Sequence, residues 1–366
     1  MKIPYVDLKK QYRSEKKNIL KIIDRTLLSG NWVGGKEVEI FEKKISEICN
    51  TKYCVSLNSG TDALTLALHL LGVRRGDEVI TPPNSFIAST AVIVHLGAKP
   101  VFVDVKKDQS IDEDKIEEKI TKKTKAIMPV HLTGRMCAME KIMKISRKYK
   151  IPVIEDCAQS ILSMYKNKMS GSWGDVGCFS AHPLKNLNAM GDGGFLTTNN
   201  KFIYSKIKNL RTHGMDESRD NVKNFGYVSR MDSLQAAILN FRLLNLKKII
   251  NKRRKNVESY LKYLNLKKIY FPLEKLYEYN TYHTFVIQVD RRDELKNFLK
   301  KRGIDTTIHY PVPIHLQTAS KYLGYKKGSF PETENQAKKI LTLPIHQYLE
   351  QKDILRISKT INEFLK

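Results

Sequence analysis

Residues 152–194 read PVIEDCAQSILSMYKNKMSGSWGDVGCFSAHPLKNLNAMGDGG and contain two short apolar runs that end in polar residues. The first run ends at Glu155 and Asp156, and the second ends at Ser180. Lys185 follows in the turn-like HPLKN, ahead of a glycine-rich GDGG. Apolar runs of this length, bounded by polar and glycine residues, predict strands of a sheet.

The residues on either side, from about 50 to 200, repeat this pattern. Apolar runs such as KYCVSL, DEVITPP, KPVFVDV and KAIMPVHL alternate with helix-like stretches such as DALTLALHLLG and MEKIMKISRKYK. The alternation predicts an α/β fold with a mainly parallel sheet covered by helices. Ligands of such sheets bind at the carboxyl ends of the strands.

The last third of the chain has a different pattern. Around residues 230–260 apolar residues recur at three and four positions, which predicts one long helix. We expect it to link a large domain of residues 1–245 to a smaller α+β domain of residues 246–366. A strand near HTFVIQV, a helix near DELKNFLKKRG and a final helix near ILRISKTINEFL are predicted within the smaller domain.

The chain of 366 residues is strongly basic, with 64 Lys and Arg against 38 Asp and Glu and a formal net charge of +26. Such a charge is compatible with polyanion binding, but most of the excess is Lys scattered over solvated helix faces. No zinc-finger, basic-zipper or RNP-like motif accompanies it. The composition therefore favours a soluble enzyme over a nucleic-acid-binding or membrane protein.

The five cysteines form no CxxC pair, which indicates reduced thiols and neither a disulfide framework nor a metal site. The N-terminal MKIPYVDLKKQY lacks an apolar signal sequence, and no run reaches the ~18 apolar residues of a spanning helix. We expect a cytoplasmic protein.

Lys185 and Asp156 together indicate pyridoxal 5'-phosphate (PLP) chemistry. A lysine between a strand end and a glycine-rich turn can form a Schiff base with an aldehyde. PLP also needs an acid beside its pyridine nitrogen, and Asp156 at a strand end suits that role. Taken alone, Asp156 would more often cap the following helix.

A phosphate site is predicted at Asn58-Ser59-Gly60-Thr61-Asp62, between a strand and a helix. Free backbone N–H groups and the positive end of the helix dipole favour an anion there, and the hydroxyls of Thr61 and Ser180 would add donors. An ordinary helix N-cap is the alternative.

Two further residues are candidates for contacts with the flat ring of the cofactor. Phe86 follows a strand end and would stack on the ring, although core packing explains a phenylalanine nearly as well. Gln159 lies three residues after Asp156 and would face the ring, or else solvent from a helix.

In these motifs the chain resembles the DegT/DnrJ/EryC1/StrS family of sugar aminotransferases, which have the fold-type-I PLP architecture. The resemblance spans nearly the whole chain and includes LNSGTDAL, VIEDCAQS, CFSAHPLKNLNAMGDGG and SRMDSLQAAIL. It implies a homodimer whose active sites take residues from both subunits, with PLP bound covalently to Lys185. It also implies pairing of the pyridine nitrogen with Asp156 and cofactor contacts by Gly60, Thr61, Phe86, Gln159 and Ser180.

One position departs from the family. The family usually has an asparagine in its GxNxR segment that reaches the phosphate in the neighbouring subunit, whereas this chain has Val228 in Gly226–Arg230. Either Ser229 or Asn224 compensates, or phosphate binding is weaker. Related dehydratases have histidine in place of Lys185, so the lysine favours transamination.

The substrate follows from resemblance only. His309-Tyr310-Pro311-Val312-Pro313-Ile314-His315 resembles the substrate loop of members acting on dTDP-3-keto-6-deoxyhexoses, so His309, Tyr310 and His315 are substrate candidates. A structural loop between domains is the alternative. The HPLKNLN motif around Lys185 also resembles that of the enzyme that installs an 8-amino group on a 3-deoxy-octulosonate sugar. Glutamate is the expected amino donor, and a catalytically silent regulatory protein is the competing interpretation.

Overall fold

The computed structural model describes residues 2–216, 218, 220–222 and 224–366. Its strands are β1 Tyr53–Leu57, β2 Glu78–Thr81, β3 Lys99–Phe102, β4 Thr124–Ile127, β5 Ile154–Asp156, β6 Met164–Tyr165, β7 Lys168–Met169, β8 Val176–Ser180, β9 Gly194–Thr198, β10 Glu278–Tyr279, β11 Phe285–Gln288 and β12 Ile340–Leu343. Most strands of the first 200 residues form two sheets, with the orders β3-β2-β4 and β1-β9-β8-β5. Parallel bridges at Ile127–Val153 and Val130–Asp156 join β4 to β5, so the two sheets meet along one edge. β6 and β7 form a separate small sheet with β10.

The direction of the strands agrees with the predicted mainly parallel sheet. β2 pairs in parallel with β3 and β4, and β5 pairs in parallel with β8. Within these two sheets, β9 lies between β1 and β8 and runs antiparallel to both. The carboxyl ends of β1, β5 and β8 therefore lie at one edge, beside the start of β9.

Helices cover these sheets and alternate with the remaining strands in the C-terminal part of the chain. They are α1 Leu8–Leu28, α2 Lys36–Cys49, α3 Gly60–Leu70, α4 Ile87–His95, α5 Met139–Tyr149, α6 Lys201–Leu210, α7 Ser233–Leu243, α8 Leu246–Tyr263, α9 Arg292–Lys301, α10 Pro331–Lys339 and α11 Gln351–Phe364. The prediction of one helix across residues 230–260 is wrong, because the helix is interrupted at Leu244 and Asn245, between α7 and α8. No helix in the described part of the chain is long and apolar enough to cross a membrane.

The C-terminal elements have a core of their own. The antiparallel pair β11–β12 packs with α8, α9 and α11 around buried side chains such as Tyr260, Phe285 and Leu341. Ile3 joins this core through a bridge to Ile304, so the start of the chain lies on the C-terminal elements. This arrangement brings the N-terminal segment and α8 to the carboxyl edge of the main sheet.

Candidate active site

A cavity of about 360 Å³ lies at the carboxyl edge of the sheet, between the strand ends and the C-terminal elements. Its residues on the sheet side follow β1, β2, β5 and β8, as predicted for ligand sites of such sheets. The residues of the predicted site that line the cavity are Gly60, Thr61, Phe86, Asp156, Gln159, Ser180, Lys185, His309 and Tyr310.

Lys185 follows β8 in a turn in which its backbone N–H donates to the His182 carbonyl at 2.8 Å. Its side chain lines the cavity, where burial lowers the pKa of the amine to about 8 and the nearby Asp156 carboxylate opposes the shift. A lysine with such a pKa is partly unprotonated near neutral pH. It can therefore act as a nucleophile toward an aldehyde and as a base.

Asp156 is the last residue of β5, and its buried carboxylate accepts two hydrogen bonds. Ser89 Oγ donates to Oδ2 at 2.7 Å, and the Ala158 backbone N–H donates to Oδ1 at 3.1 Å. Ser89 lies on α4 and was not predicted from the sequence. The Ala158 contact is a local turn beside the strand end and caps none of the α-helices, which leaves the carboxylate facing the cavity.

The predicted phosphate loop lies between β1 and α3 and fits closely against β8. The Ser59 hydroxyl caps α3 by accepting from the Asp62 N–H at 3.0 Å, so the Thr61 hydroxyl is not used for the cap. A Cβ built on Gly60 would lie 2.7 Å from Ser180 Cβ and 3.0 Å from Ser180 Cα. Only glycine lets this helix start approach Ser180, and the result is a cradle of backbone N–H groups and hydroxyls suited to a phosphate.

Gln159 and Phe86 both face the cavity. Gln159 is buried; its Oε1 accepts from the Thr133 N–H at 2.7 Å, and its side chain is close enough to the Tyr310 hydroxyl to oppose the rise in the Tyr310 pKa that burial causes. The solvent-facing alternative for Gln159 is therefore wrong. Phe86 is 54% exposed at the cavity wall, and its ring centroid lies 5.8 Å from that of Tyr310, so it is not a core residue.

The substrate loop is only partly at the site. His309 and Tyr310 line the cavity, and burial with the Lys185 charge lowers the pKa of His309 to about 4. His315 is not among the lining residues. Its Nε2 lies 3.0 Å from Glu334 Oε1 and its ring packs against Phe330, so this residue has a structural role and its prediction as a substrate contact is corrected.

Several cavity residues were not predicted from the sequence, and all of them except Ser89 come from the N-terminal segment or the C-terminal elements. They are Tyr5, Ser89, Arg253, His283 and His346. One signal was available: Arg253 interrupts a buried apolar stripe on α8 formed by Leu246, Ile250, Val257 and Tyr260. A charged residue at such a position needs a specific partner.

A second buried cluster lies behind the cavity. Glu155 accepts from the backbone N–H groups of Gly171, Trp173 and Gly174 at 2.7–3.1 Å and lies 3.0 Å from His131 Nε2. His131 Nδ1 accepts from the Cys137 N–H, so His131 donates to Glu155 through Nε2. With these ring and carboxylate atoms engaged, His131 and Glu155 fasten the loop after β7 and are poorly disposed to hold a metal ion.

The residues of the cavity fit PLP. The Gly60 cradle suits a phosphate, Asp156 suits a protonated pyridine nitrogen, and Lys185 suits the aldehyde. Phe86 and Gln159 lie where they can flank a ring. Bound PLP supplies an electron sink that stabilises a carbanion on a substrate amine.

Comparisons with known proteins agree with this geometry. A family profile described as the DegT/DnrJ/EryC1/StrS aminotransferase family matches residues 13–362. A "Pleiotropic regulatory protein" of Geobacillus stearothermophilus is 38% identical over 370 residues, with coverage of 100% of this chain and 99% of the relative. A "dTDP-3-amino-3,6-dideoxy-alpha-D-galactopyranose transaminase" of Aneurinibacillus thermoaerophilus is 39% identical over 363 residues and covers 99% of each chain.

Solved structures give the same result. S. venezuelae DesV in complex with a ketimine intermediate superposes with a TM-score of 0.97 at 36% identity, covering 100% of this chain and 99% of that one. The PLP form of a putative sugar aminotransferase from Streptococcus pneumoniae has a TM-score of 0.89 at 28% identity, covering 95% of this chain and 97% of that one. The chain therefore belongs to the DegT/DnrJ/EryC1/StrS aminotransferase family and is a PLP-dependent aminotransferase of fold type I.

Proposed function

We propose that this enzyme transfers the amino group of glutamate to the keto group of a nucleotide-linked deoxysugar, at C3 of a dTDP-3-keto-6-deoxyhexose. The observation that carries the proposal is the meeting of Lys185, Asp156 and the Gly60 cradle in one cavity. The name of the Aneurinibacillus relative supports a dTDP sugar aminated at C3.

The residues have separate tasks in this reaction. Lys185 Nζ removes the proton from the α-carbon of the amino donor and later delivers a proton to the sugar carbon that receives the amino group. Asp156, held by Ser89 and Ala158, would pair with the protonated pyridine nitrogen. Gly60, Thr61 and Ser180 would hold the phosphate, and Phe86 and Gln159 would flank the ring.

The acceptor sugar would enter on the side of His309 and Tyr310. Both side chains line the cavity, and the Tyr310 hydroxyl is close enough to Gln159 for that side chain to oppose the rise in the Tyr310 pKa that burial causes. A sugar ring with several hydroxyls suits such a wall of imidazole and phenol groups. An 8-keto derivative of a 3-deoxy-octulosonate is the alternative acceptor.

We further propose that the enzyme is a homodimer with shared active sites. Large apolar side chains are exposed at the cavity rim, at Phe86 and Leu184, and at Trp32 beside the start of α7. Exposed apolar surface of this kind is typical of protein interfaces.

Ser229 and Asn224 differ in their freedom to replace the usual phosphate-binding asparagine. Ser229 is fully buried, and its hydroxyl donates to Asn58 Oδ1 at 3.2 Å in the same chain. Asn224 is exposed, as is Val228. We therefore favour Asn224 as the side chain that reaches a neighbouring subunit.

A catalytically silent regulatory protein is a second candidate, favoured by the name of the Geobacillus relative. Loss of chemistry would remove the need for a lysine and an acid in one cavity. Both Lys185 and Asp156 are present and directed into it, which supports the aminotransferase.

The proposal is tested by the near-visible spectrum of the purified PLP-bound protein. Glutamate is expected to bleach the yellow band, and addition of a dTDP-3-keto-6-deoxyhexose should restore it. Lys185→Ala should not complete this cycle, whereas Lys201→Ala, a change on the protein surface, should. Restoration by the octulosonate ketone alone would replace the hexose, and a protein that PLP does not colour would favour the regulatory candidate.

A further inference from the structure

Arg253 is a buried cation in the wall of the cavity. It lies on α8, is 5% exposed, and belongs to the side of the cavity formed by the C-terminal elements. Burial of a guanidinium is unfavourable unless an opposite charge and hydrogen bonds offset the loss of water. The partners of Arg253 therefore indicate what this wall is built to bind.

The hydrogen bonds of Arg253 within the protein are few. Nη1 donates to the backbone carbonyls of Tyr282 and His283, each at 3.2 Å, while Nε is buried without an acceptor. No described carboxylate lies within 4.0 Å of this guanidinium. The neighbouring Arg254 differs, because it forms a two-pronged pair with Glu274 at 2.7 and 2.8 Å.

The imidazole groups around Arg253 are neutral. Tyr5 and His346 line the same wall, and burial together with the Arg253 charge lowers the pKa of His346 to about 4, while the Asp7 carboxylate opposes this shift. His283 is also kept neutral, because burial and the charges of Lys185 and Arg253 lower its pKa well below the usual value. This end of the cavity thus has a positive charge and hydrogen-bond donors, and Arg253 forms no ion pair with a described carboxylate.

We propose that Arg253 binds the side-chain carboxylate of the amino donor and so makes the first half of the reaction specific for an acidic amino acid. The inference rests on the proposed function and deepens it. A planar guanidinium with free donors matches a carboxylate, which it can bind through two parallel hydrogen bonds. The α-amino group of the donor must be at Lys185, and His283 lies within the influence of both Lys185 and Arg253.

A diphosphate of the nucleotide sugar has related chemistry and is the other possible occupant. The two sources differ in the half-reaction that they affect. A carboxylate site acts when glutamate is bound, whereas a diphosphate site acts only when the sugar nucleotide is bound. Affinities for glutarate, an unreactive dicarboxylate, and for dTDP separate them without any turnover.

The experiment uses the PLP-bound enzyme and its Arg253→Gln and Arg253→Lys variants. Lys255→Gln is the matched control, because it removes one positive charge from the exposed face of the same helix. Calorimetric titration gives the affinities for glutarate and dTDP, and the cofactor spectrum gives the concentration of glutamate needed for half-maximal bleaching rate.

In Arg253→Gln, glutarate and glutamate affinities are expected to fall about 10- to 100-fold, as for the loss of a charged hydrogen-bond pair. Arg253→Lys should show a smaller loss, and dTDP affinity should stay within about twofold of the wild type. Unchanged glutarate affinity in Arg253→Gln, or a loss confined to dTDP, would overturn the inference.

Two results keep the inference separate from the proposed function. If glutamate does not bleach the wild-type enzyme, the proposed donor is wrong, while glutarate titration still tests Arg253. If Arg253→Gln does not fold, Arg253→Lys retains the buried charge and carries the same comparison. Equal glutarate affinities in the lysine variant and the wild type would then count against the fork-shaped contact.

Discussion

Ser89 Oγ donates a hydrogen bond of 2.7 Å to Oδ2 of Asp156, which connects the first turns of α4 to the end of β5. Both side chains are buried. The carboxylate that lines the cavity is therefore held through both of its oxygens, by Ser89 at Oδ2 and by the Ala158 backbone at Oδ1.

Ser89→Ala is expected to weaken PLP binding about 10-fold. The carboxylate would lose one of two donors, and a hydrogen bond to a charged group is worth about 1.5–3 kcal/mol. Some of this loss would be offset by rearrangement of Asp156 toward the ring nitrogen. The affinity is measured by titrating the cofactor-free protein with PLP and following its absorbance.

Thr90→Val is the matched control for Ser89→Ala. Thr90 is the next residue, and its hydroxyl is buried without a hydrogen-bond partner. Its removal should leave PLP affinity within about twofold, since no hydrogen bond is lost. Equal losses in the two variants would mean that packing of α4, and not the Ser89 contact, determines the affinity.

Thr61→Val tests the phosphate cradle. The Thr61 hydroxyl is free of the helix cap, which Ser59 provides, so its loss should lower PLP affinity about 5- to 20-fold with little change in stability. Thr65→Val, one turn further along α3, removes a hydroxyl that only donates to the Thr61 carbonyl. A comparable loss of affinity in Thr65→Val would contradict the assignment of Thr61 to the phosphate.

The sheet and the strand-end residues that line the cavity were predictable from the sequence because both depend on local patterns. Apolar runs that end in Asp156 and Ser180 define strands and, through their carboxyl ends, the place of the site. The phosphate loop was predictable as a junction between a strand and a helix, whereas the close approach of α3 to β8 that requires glycine at position 60 is a tertiary contact.

The other half of the site depends on tertiary contacts that no local pattern encodes. Tyr5 and Arg253 are far apart along the chain and meet because Ile3 packs on the C-terminal core. His315 was placed wrongly for the same reason: its sequence neighbours line the cavity, but its ring turns toward Phe330. The break between α7 and α8 was missed because apolar periodicity continues across it.

Glu155→Gln is expected to destabilise the protein by about 3 kcal/mol or more. The neutral amide of glutamine has an NH2 group in place of one carboxylate oxygen, and this donor would face backbone N–H groups that are also donors. Buried N–H groups would then lose their acceptor, which is strongly destabilising. Glu140→Gln is the control, because Glu140 pairs with Lys166 on the surface, where such pairs are worth about 0–1 kcal/mol. Urea unfolding midpoints provide the comparison, and similar shifts in the two variants would contradict the role of Glu155.

Lys185 should make the stability of the cofactor-free protein depend on pH. Burial lowers its pKa from 10.5 to about 8, so between these values the unfolded chain binds more protons than the folded one. Stability then rises with pH in this range. The cost of holding the protonated lysine is about 3 kcal/mol, present in full below pH 8 and lost above the unfolded pKa.

Lys185→Met removes this cost, so the variant without cofactor should be more stable than the wild type at pH 7 by up to about 3 kcal/mol. The difference should shrink as the pH approaches 10.5, where the wild-type lysine is neutral in both states. Lys201→Met, an exposed change, should show no such trend. Urea unfolding of all three proteins at pH 7 and pH 10 measures the difference in the free energy of unfolding between each variant and the wild type. A Lys185→Met advantage that is the same at both pH values would show that packing of the methionine, and not the buried amine, is its cause.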